Sequence, residues 1–153
     1  NMGGAVRHRD RAAGESQGND LTARNYQVGG NHYSKMIIQP FEFTAANDLG
    51  GIEHTIVKYS SRWQEKGGVD DLRKARHCLE FLVESAPGLV ALRENRPAFQ
   101  PAITADQYCT ANQLGPLETE VVRRIYFWAH NRQVSGLYAC GRYLDQLIAE
   151  VSP

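Results

Sequence analysis

No run of apolar residues in this chain is long enough to cross a bilayer, and its opening segment has no apolar core of the kind a secretory leader carries. The expectation that follows is a cytoplasmic protein with no membrane partner. Net charge is absent as well. Seventeen basic residues balance seventeen acidic ones, so no overall field draws the chain to nucleic acid or to an anionic surface. Any anion site has to be local. The three cysteines, Cys78, Cys109 and Cys140, show no metal-type spacing, and free, buried or half-buried thiols are the simplest reading. The chain has no glycine-rich phosphate loop ending in Gly-Lys-Ser or Gly-Lys-Thr, no nucleophile elbow and no paired Cys motif. Paired carboxylates at helical metal-binding spacing are missing too, since Glu53 and Glu80 fall on different predicted helices.

What the sequence does have is an internal repeat. Residues 41–84 recur without a gap as 106–149, at a constant offset of 65. Asn47 falls on Asn112, Leu49 on Leu114, Gly50 on Gly115 and Glu53 on Glu118. Trp63 then falls on Trp128, Leu72 on Leu137, Leu79 on Leu144 and Leu82 on Leu147. What both copies keep is what the fold needs, and what one copy alone keeps is a candidate for function.

At 153 residues the chain is one domain or one compact pair of repeats, large enough to bury a core. Residues 1–26 offer almost nothing apolar and read as a flexible N-terminal arm. Residues 27–84 form the first three-helix repeat, 85–103 a linker rich in Pro, Gly and Arg, and 104–153 a second, degenerate three-helix repeat. Pro40 suits the first turn of a helix that Gly50-Gly51 would end. A second helix is predicted from Ile52 to Lys66, with Ile56, Tyr59 and Trp63 on one face and Gly67-Gly68 as its stop. A third is capped by Asp70 or Asp71 and striped by Leu72, Ala75, Leu79 and Leu82. The second copy repeats the pattern over 104–113, 117–131 and 134–151. The fold class is therefore all-α, with two related units packed as a pseudo-two-fold bundle, like a homodimer fused into one chain. Trp63, Trp128, Leu79 and Leu144 should all be buried.

The candidate chemistry lies in the first copy. Lys58, Arg62 and Lys66 stand four residues apart, about 6 Å per step along a helix, at the edge of the apolar stripe. Lys supplies point charge and Arg a planar fork of donors, a set able to engage phosphate oxygens. Asp71 and Lys74 lie on the next helix, near Arg62, and Tyr59 brings a hydroxyl to the same seam. His32, after Gly29-Gly30, could reach over the groove as a donor. Cations at this spacing most often form a solvated face, and Arg62 with Asp71 could be a plain hairpin salt bridge. The repeat comparison weighs against that. At the matching positions the second copy has Arg123 for Lys58, Arg124 for Tyr59, Phe127 for Arg62, Asn131 for Lys66, Gly136 for Asp71 and Ala139 for Lys74. Since that copy keeps its apolar stripe with Phe127 in place, Arg62→Ala should hardly affect folding.

The ordered set Gly29-Gly30-x-His32-Tyr33, Gln39-Pro40, Lys58-Tyr59-x-x-Arg62 and Lys66-Gly67-Gly68-x-x-Asp71-Leu72-x-Lys74-Ala75 resembles a small bacteriophage domain family. That family includes the nucleotide kinase of T7-like phages. The likeness covers about residues 29–84. It implies a phage or prophage origin, hence a host-cell cytoplasmic setting, and an affinity for nucleotides or similar phosphorylated ligands. It also implies a ligand set of His32, Lys58, Arg62, Lys66, Asp71 and Lys74, and an activity like that of a deoxynucleoside monophosphate kinase. A magnesium ion enters only with phosphoryl transfer, with Asp71 either orienting Arg62 or holding the metal. The reading from another class is a non-enzymatic interaction protein, such as a phage inhibitor of a host defence or replication complex.

Overall fold

The computed structural model describes residues 36–94 and 103–153; His32, the whole expected N-terminal arm and residues 95–102 of the expected linker lie outside them. Among the described residues there are six helices and no strand. They are α1 (Pro40–Ala46), α2 (Gly51–Arg62), α3 (Val69–Glu94), α4 (Ala105–Ala111), α5 (Pro116–Asn131) and α6 (Val134–Val151). No described helix is long and apolar enough to cross a membrane.

The helix starts at Pro40, Gly51 and Val69 are followed at the same offset of 65 by Ala105, Pro116 and Val134. The caps repeat as well. Glu42 reaches back to the Gln39 N–H at 3.1 Å, and Gln107 reaches back to the Thr104 N–H at 2.8 Å. Such reciprocal caps satisfy donors that a helix start otherwise leaves open. Both short helices end in an asparagine followed by a left-handed residue, Asp48 at φ 51 and Gln113 at φ 54. This corrects the sequence reading, in which Gly50-Gly51 closed the first helix. Asn47 and Asp48 close it, and Gly50 opens α2 as its N-cap.

Two other boundaries differ. Helix α2 stops at Arg62 rather than Lys66, because the chain tightens into a turn that the Gly68 N–H closes on the Trp63 carbonyl at 2.7 Å. Gly68 takes φ +57, which a glycine adopts without side-chain cost. Lys66 therefore sits in the turn, not on the helix. Helix α3 runs through Pro87 to Glu94, across the first half of the expected linker. A proline interrupts the bonding of one turn, but Ala86 is buried and Leu89 and Val90 pack on the core, so burial carries the helix past it.

The long helices pair as two hairpins, α2 with α3 and α5 with α6; α3 also packs on α6, and α2 on α5. Ile56, Leu72, Leu79 and Leu82 meet Val121, Ile125, Leu137 and Leu144 in one core. The short helices α1 and α4 lie against α2 and α5 respectively. There Phe43 and Tyr108, themselves 65 residues apart, stack with ring centroids 4.6 Å apart. Beside this stack two asparagines bond across the halves. Asn47 donates to the Ile103 carbonyl at 2.7 Å, and Asn112 donates to the Ile38 carbonyl at 2.7 Å. Ile38 and Ile103 are again equivalent by the offset.

Leu79, Leu144 and Trp128 are buried as expected, but Trp63 is only half-buried, a correction explained by a cavity beside it. All three cysteines are free. Burial raises the Cys109 thiol to about 11 and the Cys140 thiol to about 12, so both stay protonated near neutral pH.

Candidate functional site

Helix α2 projects Lys58, Tyr59 and Arg62 from its last two turns, and α3 returns antiparallel to bring Lys74 alongside. Three cations gather on one ring. The Lys58 Nζ lies 4.9 Å from the Tyr59 ring centroid, the Arg62 Cζ 4.8 Å and the Lys74 Nζ 5.4 Å. An aromatic face attracts a cation through its quadrupole, so Tyr59 lets like charges approach more closely than bare repulsion would allow.

One carboxylate holds the centre of this cluster. Asp71 is 1 % exposed; its Oδ2 accepts from the Arg62 Nε at 3.1 Å, and its Oδ1 lies 3.8 Å from the Lys74 Nζ. Asp71 thus faces a cation with each oxygen, which fits a role in orienting Arg62 and leaves a magnesium role without support. Among the described residues no group of three His, Cys, Asp or Glu is placed to hold a metal. Gly67 is part of this arrangement, because a Cβ there would run into the Asp71 carboxylate.

Arithmetic of charge leaves the cluster positive. Among the described residues, Lys58, Arg62 and Lys74 gather around one buried carboxylate, Asp71. The Lys58 ammonium is held below its ordinary value, first by partial burial, then by Arg62 and Lys66, with Asp71 opposing. Lys66, though exposed in the turn, is therefore close enough to share the same field. Of the seven residues singled out from the sequence, six fall in this region; His32 lies outside the described residues.

The second hairpin shows the contrast. Arg123 pairs with Glu120 at 3.1 Å and Asp106 at 3.4 Å, and Arg124 pairs with Glu120 at 3.4 Å. These two arginines are matched by carboxylates on their own side, and Phe127, at the place of Arg62, is 39 % exposed.

Two features escaped the sequence reading. His54, one turn before Lys58, has its Nδ1 2.8 Å from the Thr44 Oγ1. Burial, and then Lys58, hold its imidazole below the usual value, which favours the neutral ring. The other feature is a cavity of about 490 Å³ between the end of α2 and the junction of α4 with α5. Trp63, Arg62, Glu65, Asn112 and Glu118 line it. The retention of Trp and Glu in both copies was the available signal, but it pointed to core rather than to a cavity wall.

No protein-family profile matches this chain, and no curated protein or solved structure matches it at a significant level.

Proposed function

We propose that the α2–α3 hairpin binds a nucleotide or a similar phosphorylated ligand, with Lys58, Lys66 and Lys74 neutralising phosphate and Tyr59 forming the floor between them. The observation that carries this reading is the gathering of Lys58, Arg62 and Lys74 around one half-buried tyrosine, with Asp71 the carboxylate among them. Cations held this close repel one another, and an anion of two or more charges relieves that repulsion while accepting hydrogen bonds from each. Arg62 keeps its guanidinium oriented by Asp71. The same residues carry the resemblance to the bacteriophage family, and phosphoryl transfer would ask the same cations to stabilise charge on the moving group.

We also propose that the two units pack as a pseudo-two-fold pair in which the second is the scaffold copy. The reciprocal Asn47–Ile103 and Asn112–Ile38 bonds support this, as does the shared offset of the helix starts.

A thermal-shift series with deoxynucleoside mono- and triphosphates, with and without magnesium, tests the binding. A ligand at one hundred times its dissociation constant should add about 2.7 kcal/mol of stability. Lys58→Met keeps the apolar stem while removing the charge. It should weaken binding about tenfold, or about 1.4 kcal/mol, without lowering the melting temperature of the free protein. Absence of a shift with every nucleotide would remove this reading and leave the interaction-protein one.

A further inference from the structure

The offset of 65 relates the 490 Å³ cavity to a place in the other half of the molecule that is filled. There the buried Glu53 accepts a hydrogen bond from the Trp128 Nε1 at 3.1 Å. The Arg132 guanidinium lies 3.8 Å from the same carboxylate, and its Cζ is 4.7 Å from the centre of the Trp128 ring. A carboxylate, an indole and a guanidinium thus complete one another. In the cavity the matching residues are Glu118 for Glu53 and Trp63 for Trp128, and both line it. The residue matching Arg132 is Gly67, which has no side chain to offer.

Glu118 is left in an unusual position. It is 6 % exposed and lines the cavity, yet it makes no hydrogen bond or ion pair among the described residues. It stands in the first turn of α5, with its carboxylate oxygens beside Gly115. Its equivalent Glu53 meets the Trp128 N–H and the Arg132 guanidinium, whereas the Glu118 carboxylate opens onto the cavity. Glu65 adds a second carboxylate to the cavity wall, and the charge of Arg62 on the same wall is held by Asp71.

The geometry points to this cavity as a binding site for a guanidinium group supplied by a ligand, seated on Trp63 and paired with Glu118 as Arg132 is seated on Trp128 and paired with Glu53. Planar guanidinium matches both surfaces at once, stacking on an indole face while directing paired N–H donors at a carboxylate. The donor is either a free small molecule or an arginine side chain of a partner; both present the same chemistry. The cavity shares Arg62 with the cluster on Tyr59, so phosphate binding there is titrated separately.

The test titrates the full chain with agmatine, with a short acetylated and amidated Gly-Arg-Gly peptide, and with N-propylurea as an uncharged mimic. Backbone amide shifts at Leu114 and Gly115 are followed by NMR. Agmatine or the peptide should give saturable shifts and the urea none; the tighter of the two identifies the source. Glu118→Gln should weaken binding about tenfold or more, since a charge-assisted pair becomes a neutral one. Arg132→Gly supplies a reference: its backbone at φ 52 accepts glycine readily, and methylguanidinium should restore its lost thermal stability by refilling the vacated place. Should Glu118→Gln not fold, Trp63→Leu offers the same comparison by the same amides. The proposal is overturned if neither guanidinium probe gives a saturable shift at concentrations that rescue Arg132→Gly. It is also overturned if removal of Glu118 or Trp63 leaves the affinity unchanged.

Discussion

Arg62→Ala should destabilise the protein by about 3 kcal/mol, because it strips the closest cation from a buried carboxylate. Asp71 is 1 % exposed, and after the substitution the nearest cation among the described residues would be Lys74, at 3.8 Å and itself largely solvated. The paired substitution Arg62→Ala with Asp71→Ala should recover more than half of that loss, since it removes the stranded charge together with its partner. Urea denaturation of the two single variants and the double variant gives the coupling directly. Equal stability of Arg62→Ala and the parent would mean that the salt bridge carries no weight in the fold. This reverses the expectation drawn from Phe127. The second copy tolerates phenylalanine there because it also has Gly136 where the first has Asp71. It lost the whole pair, so it says nothing about losing half of one.

Asn47→Ala should cost a comparable amount, about 3 kcal/mol, through three broken hydrogen bonds at a buried position. The side chain donates to the Phe43 carbonyl at 2.9 Å and to the Ile103 carbonyl at 2.7 Å, and its Oδ1 lies 3.0 Å from the His130 Nε2. Alanine would leave those groups facing a space too apolar to replace what they lose. Faster amide exchange should follow near the start of α4, where Ile103 is anchored, and near His130 at the end of α5. Asn112→Ala should cost less, since it breaks two bonds, both to Ile38, at a half-buried position. A loss confined to local fraying, with the midpoint of global unfolding unchanged, would contradict this account of how the halves are joined.

Much of the fold was readable because it depends on periodic apolar burial. The stripe of Leu72, Leu79 and Leu82 and its recurrence as Leu137, Leu144 and Leu147 placed the long helices, and α6 begins and ends where its pattern does. The boundaries that failed are those decided by single residues. Gly50 could end one helix or begin the next, and only the left-handed Asp48 shows which. Pro87 reads as a stop in isolation, yet Ala86, Leu89 and Val90 find core to pack against. The cationic set was legible from its spacing and from the second copy's losses. The cavity was not, since its wall joins segments distant in sequence, the end of α2 and the α4–α5 junction.

The crossed asparagine bonds have a consequence for how the chain can be divided. Each unit supplies the donor that satisfies a carbonyl of the other, and Trp128 of the second finds its acceptor on Glu53 of the first. Neither half alone can meet its own polar demands or cover its apolar face. Opening the chain between Glu94 and Ile103 should therefore yield two fragments that stay unfolded apart and fold on mixing. Their association would be concentration-dependent, since the covalent joint serves mainly to keep each half at high effective concentration around the other. Fragment complementation would then let residues of one unit be exchanged while the other is held constant.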